Sequence, residues 1–245
     1  MASIPDPMFR QTTRDFCVNQ QFRKDYWVKG CRTLTALEQA EALRGQRILL
    51  AQPRADVGLK VTGSLGEATL QEAVYGPILD QLADHKPKTL GQLEQALKAT
   101  PSTQSLSFAQ ILQAAMVLSA TGAVQAVQDD AVVQKAKKRT DRLNVYLMTK
   151  ARSSNELSYL ASPVTGGGVT VPRFQQLFLL AKQQGHKHPQ DWANFVWNIL
   201  ALQNQRLVKD GKTLETVEEN LAELTAQASE FAEKQLPIFK ALQIA

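Results

Sequence analysis

The side chains able to do chemistry are few and scattered. Cys17 stands beside Phe16 and Cys31 follows Gly30, with no metal-type pairing around either, so both read as buried or tolerated thiols and not as a disulfide or a nucleophile. His85, His186 and His188 sit in polar, turn-like stretches beside Lys and Pro, with no Cys or carboxylate cluster near them in sequence. That pattern does not make a zinc site. The triplet Gly166-Gly167-Gly168 is the most phosphate-like feature, because glycine loops hold phosphate by presenting backbone amides at a helix start. It lacks both the P-loop and the dinucleotide spacing, and the residues after it read as a strand ending at Pro172, which has no amide hydrogen. A tight turn is expected there. Gly63, Gly66 and Glu67 are the nearest imitation of a nucleotide-cofactor turn, but no βαβ series surrounds them. No nucleophile, base and orienting residue stand together. The sequence therefore assigns no catalytic, cofactor-binding or metal residue, and a free-standing enzyme is the least favoured class.

A chain of 245 residues with 44% hydrophobic content can bury two modest cores. Its 28 basic and 23 acidic residues give +5 and a pI near 9.2, a mild excess that does not by itself imply nucleic acid. The basic run Lys135, Lys137, Lys138, Arg139 and Arg142 reads as a solvated helix face. Apolar runs such as 48–51 and 177–181 fall far short of the ~20 residues a membrane-spanning helix needs. The opening Met1-Ala2-Ser3-Ile4-Pro5-Asp6-Pro7 has neither the basic segment nor the apolar stretch of a secretory signal, so a cytoplasmic location is expected.

The elements that would position these residues follow from periodicity and caps. In residues 1–66, short strands are expected at 25–30, 47–51 and 59–64, with a helix at 37–43. Gly63 and Gly66 punctuate the change to helical period. From 69 to 128 the order is helix, helix, helix, strand, that of a winged-helix unit with one wing arm visible. The first helix runs to about Ala83. Thr89/Gln92 and Ser107/Gln110 have capping-box spacing and open the next two. Phe108, Ile111, Leu112, Ala115 and Leu118 share the third helix's face, Gly122 ends it, and 123–127 alternates like a strand. A boundary falls near Asp129-Asp130, before a long helix. Residues 160–171 read as a hairpin turning at the glycine triplet. Pro172 then suits the first turn of a helix with Phe174, Leu177, Phe178 and Ala181 inward and Gly185 as its stop. Another helix is expected over 191–208, carrying Trp192, Val196, Ile199 and Leu200, and a last one from the Thr216/Glu219 box, with Leu221, Leu224, Ala228 and Phe231, ended or kinked at Pro237. The fold class is α+β, predominantly helical.

The expected third helix contains no Lys or Arg between Ser107 and Thr121, which argues against a groove-reading role. A winged-helix transcription factor or nucleic-acid adaptor is accordingly the alternative reading.

Two stretches carry a family resemblance: Asp15-Phe16-Cys17-Val18-Asn19-Gln20-Gln21-Phe22-Arg23, and Leu160-Ala161-Ser162-Pro163-Val164-Thr165-Gly166-Gly167-Gly168-Val169. Residues 173–181, Gly211-Lys212-Thr213-Leu214, Leu236-Pro237-Ile238-Phe239 and Leu242 extend it over nearly the whole chain. Together they resemble the predicted methyltransferase regulatory region of bacterial class I S-adenosylmethionine-dependent methyltransferases, a family that includes rickettsial protein-lysine methyltransferases. The first motif departs from the family's Asn-Arg-x-Phe-Arg-Gln-Thr in having Gln20 for the arginine and Lys24-Asp25 after Arg23. The resemblance implies a regulatory middle region over 1–130 and a C-terminal winged-helix-like region over 131–245. It also implies an upstream catalytic domain that holds S-adenosylmethionine, so that this chain needs no cofactor of its own. Partners implied are that catalytic domain, a second copy, or a protein substrate, with nucleic acid not favoured. Phe9, Phe16, Phe22, Tyr26 and Trp27, alongside Arg10, Arg14 and Arg23, have an interface composition. Among them Phe22 and Trp27 are the ones expected to turn inward.

Overall fold

A computed structural model gives the fold and describes residues 3–23, 25, 27–30, 32–63 and 66–245. The chain runs α1 (Pro7–Cys17), α2 (Ala36–Arg44), β1 (Arg47–Leu50), β2 (Lys60–Gly63), β3 (Gly66–Thr69), α3 (Glu72–Leu82), β4 (Lys88–Thr89), α4 (Leu90–Lys98), α5 (Phe108–Ala120) and β5 (Val124–Ala126). It continues through α6 (Asp130–Lys150), β6 (Tyr159–Ser162), β7 (Gly167–Thr170), α7 (Arg173–Gln183), α8 (Pro189–Leu202), β8 (Val208–Lys209), β9 (Lys212–Thr213), α9 (Val217–Glu230) and α10 (Leu236–Ala241). The class is α+β and predominantly helical.

A three-stranded antiparallel sheet of order β4-β1-β5 organises the first core. The central strand of this sheet lies upstream of the 69–128 stretch: β1 takes the middle, with Leu50 opposite Val124 and Arg47 opposite Thr89. Because side chains alternate across a strand, Ile48 and Leu50 join the core formed with α3, α4 and α5, while Leu49 points into the other one. The helices start where expected. In α4 and α5 the Thr89 and Ser107 hydroxyls accept from the Gln92 and Gln110 amides, and both glutamines reach back to the cap residue. Gly122, at φ +80°, ends α5.

The second core gathers α6 to α10 around an aromatic cluster. The Phe231 ring lies 5.6 Å from Phe178, 6.0 Å from Trp192 and 5.9 Å from Phe239. Buried amide side chains serve the backbone there. Asn144 of α6 donates to the Ala161 carbonyl at 2.8 Å and accepts from the Ala161 amide at 2.7 Å, pairing with β6 as a strand would. Asn220 of α9 closes the β8-β9 loop through Leu207, Leu214 and Thr216. Arg173 donates to the carbonyls of Ala151 and Arg152 at the end of α6, where the helix dipole favours a cation; burial pushes its guanidinium pKa down.

Several expectations need correction. Among the described residues 25 and 27–30 no strand forms, since no neighbouring chain offers the hydrogen bonds a strand requires; Lys24 and Tyr26 lie outside the described residues, as does Ser64 at the end of the 59–64 strand. The turn of β6-β7 is made by residues 163–166, and Gly167 and Gly168 already pair in β7. Helix α8 stops at Leu202, with Asn204 at φ +52°, and Val208 begins a hairpin instead. That hairpin turns on Asp210-Gly211, both at positive φ, the two-residue Asp-Gly signal of a tight turn. Pro172 is the N-cap of α7, not its first turn. Before Pro237 the chain passes through a π-helical turn, residues 231–235, and continues as α10, so Pro237 sits in the first turn of α10, where a proline is tolerated, and does not end the helical run.

Candidate functional site

The most exposed apolar surface lies in the opening segment. Helix α1 forms because Pro7 follows Asp6, whose carboxylate accepts from the Phe9 amide at 2.7 Å, a good N-cap with Pro in the first turn. Its end is set by Asn19 at φ +51°. At 100° per residue Met8, Phe9, Thr12 and Phe16 fall on one side, and no residue of α1 is buried. Phe16 is 87% exposed, and beyond the helix Phe22 is 85% and Trp27 79% exposed. The inward reading of Phe22 and Trp27 is thus overturned: no core lies within their reach, and they join Met8, Phe9, Phe16 and Val28 on the outside.

The first motif has a definite geometry. Its two ends meet in an ion pair, Asp15 to Arg23 at 2.7 Å, and Arg23 also holds Asp25 at 2.9 Å. The Gln20 side chain bonds the Phe22 carbonyl, and Arg10 folds back onto the Ile4 carbonyl at 2.7 Å. An open hollow of about 360 Å³, lined by Thr12, Asp15, Phe16, Asn19, Gln20 and Gln21, results. Among the described residues, no hydrogen bond or ion pair joins residues 3–34 to anything beyond Glu38.

Attachment to the body comes through α2. Thr35 and Glu38 form its capping box, and at its last residue Arg44 bonds Glu94 of α4 at 2.7 Å and lies 4.5 Å over the Phe108 ring. Lys98 bonds Glu94 from the other side at 2.6 Å. Arg44 and then Lys98 hold the Glu94 carboxyl below the usual carboxylate range, and Glu94 raises Arg44 in return. Neither Arg44 nor Glu94 stands out in the sequence; the pairing spans 50 positions.

The other residues singled out by type are dispersed. Cys17 is free and exposed, a tolerated thiol rather than a buried one, and Cys31 lies outside the described residues. His85, at φ +56°, has Nδ1 2.9 Å from the Leu50 carbonyl, His186 lies against Phe195, and His188 caps α8. No group of three His, Cys, Asp or Glu close enough to hold a metal ion occurs among the described residues. Gly63, Gly66 and Glu67 belong to the antiparallel hairpin β2-β3, not to a strand-turn-helix, so they do not fit a nucleotide cofactor. The Gly166 turn is a structural junction: its Ser162 hydroxyl accepts from the amides of Val164 and Thr165 and donates to the Leu242 carbonyl at 2.8 Å. No helix among the described residues is long and apolar enough to cross a membrane.

Comparison with known proteins points to the same opening segment. Residues 1–29 match the family described as predicted methyltransferase regulatory domain. Over 244 residues the chain is 37% identical to an uncharacterized protein of Synechocystis sp. (strain ATCC 27184 / PCC 6803 / Kazusa), a match that covers 100% of this chain and 46% of the relative. The chain thus spans about half the length of the curated relative it matches. No solved structure matches it.

Proposed function

We propose that this chain is a non-catalytic, regulatory part of a methyltransferase and that residues 3–34 are its docking surface for the catalytic part. In this reading residues 1–130 are the regulatory middle region and 131–245 a C-terminal winged-helix-like region, in the manner of bacterial class I enzymes such as the rickettsial protein-lysine methyltransferases. The catalytic part holds S-adenosylmethionine. One observation carries the reading: the segment that matches the regulatory family is also the one where, among the described residues, the aromatic side chains face solvent and the polar groups bond only to one another. Exposed aromatics beside arginines make the strongest contacts of protein interfaces, and a self-contained segment can dock without disturbing the fold behind it. The relative's further length supplies room for such a catalytic part.

The test is binding in trans. The remaining part of a full-length relative is expressed separately, and its association with this chain is measured by calorimetry, with methyl transfer followed in parallel. The expected result is association at tens of micromolar or tighter, weakened about tenfold or more in Phe9→Ala, Phe16→Ala and Arg14→Ala, since truncated hot-spot residues cost roughly 2 kcal/mol. Absence of association at tens of micromolar overturns the docking role.

A further inference from the structure

Seven cations lie between Lys135 and Arg152, against only Asp130 and Asp141 in residues 130–152, a local charge of +5. This equals the charge of the entire chain; of its 28 basic and 23 acidic residues, the remaining 21 and 21 cancel. Helix α6 and the two residues after it therefore hold the whole excess, +4 of it on the helix itself.

Both carboxylates of that helix are engaged. Asp130 pairs with Arg47 at 2.8 Å and Asp141 with Lys137 at 2.5 Å. By contrast Lys135, Lys138, Arg139 and Arg142 are exposed, with no carboxylate within ion-pair distance among the described residues. Lys150 is exposed too, 5.6 Å over the Tyr146 ring. Since α6 packs inward through Val133, Asn144 and Met148, the helical period sends Lys135, Arg139 and Arg142 to the opposite side. A solvated helix face normally carries both signs in alternation, and this one carries a single sign. From Lys135 to Lys150 the stripe runs about 22 Å, the rise of six or seven nucleotides of one DNA strand.

The composition selects the occupant. A lipid surface needs a continuous apolar helix face to bury, and that of α6 is already in the core, leaving Val132, Leu143, Val145 and Tyr146 exposed but interspersed with cations. Protein interfaces are depleted in lysine, which supplies three of these five cations. Distributed phosphate charge suits lysines and arginines alike. We propose that the outward face of α6 is a sequence-independent docking surface for the phosphate backbone of nucleic acid. It rests on a helix remote in sequence from the opening segment and stands or falls independently of the accessory reading.

The experiment is fluorescence anisotropy of the full chain with labelled DNA of about 20 nucleotides, single-stranded and duplex, over a salt series. Neutralising five phosphates predicts a log–log salt slope of about −4.5 for duplex, a fall of about 500-fold in affinity between about 50 and 200 mM NaCl. Arg139→Gln with Arg142→Gln is expected to reduce the slope by about two and weaken binding at least tenfold at about 100 mM. Lys60→Gln with Lys212→Gln, which removes the same charge from exposed sites off the helix, leaves binding unchanged. Circular dichroism melts verify that each variant is folded. The proposal is overturned by no binding at about 50 mM salt, where five phosphate contacts are strongest, by equal losses in the two double variants, or by tighter binding of polyglutamate or phosphatidylserine vesicles at the same salt.

Discussion

Arg44 is the side chain through which the opening segment is tied to the body, and its bond to Glu94 sets a pH dependence. Because Glu94 is held below its ordinary pKa when folded, the pairing stabilises the protein above the unfolded value near 4.3 and loses that stabilisation as pH falls through the folded one. Glu94→Gln should therefore lower the urea midpoint more at pH 7 than at about pH 3, because the carboxylate's stabilisation is lost progressively as the pH falls below the unfolded value. A drop of the same size at both pH values would show that the ion pair contributes nothing. Asn144 gives a cleaner energetic case. It is buried and bonds both backbone groups of Ala161, so Asn144→Ala leaves a donor and an acceptor without partners and should cost roughly 2–3 kcal/mol in denaturant unfolding. Residue types alone could not single out either position: an Asn in mid-helix and a Glu among many look ordinary until a distant partner is known.

Elements were legible where the code is local. The Thr89, Ser107 and Thr216 capping boxes each open a helix at the expected residue, and Gly122 and Gly185 stop helices at positive φ. Helix α1 was not read although Asp6-Pro7 announces it, because its polar composition gives no buried stripe. The two-residue strands β4, β8 and β9 are too short for any period, and the order β4-β1-β5 joins segments far apart in sequence. The β6-β7 turn shows how a motif that resembles a ligand loop can be structural. Gly166 has φ +72°, and a Cβ there would lie 3.0 Å from the Gln128 side chain, which itself bonds the Thr165 carbonyl. Gly166→Ala should destabilise by about 1–2 kcal/mol from the left-handed backbone alone. Adding Gln128→Ala relieves the contact but not the backbone strain, so only part of the loss should return; full recovery would rule the strain out.

For the molecule as a whole, the opening segment and the two cores differ in how much they hold. The described residues among 3–34 contribute nothing to the buried hydrophobic set, so a chain lacking residues 1–34 should keep its circular dichroism spectrum and melt within a few degrees of the full chain, since exposed segments contribute little to stability. A collapse of helicity would mean that the segment props up the fold. Leu49 is the opposite case. It is fully buried, and Leu49→Ala should cost about 3–4 kcal/mol, as much as any single leucine deletion in either core.

The placement of β1 also bears on how the chain is made. The first core can close once β5 has left the ribosome, because β1, β4 and the three helices between β4 and β5 and before them are by then available. Leu49, Ala51 and Val127, however, belong to the second core, which needs chain as far as Ile244. During synthesis the finished first half must carry a wet apolar strip on its central strand for the time taken to add more than a hundred residues, roughly ten seconds at usual elongation rates. Nascent chains stalled near residue 128 should therefore be soluble only while something shields that strip.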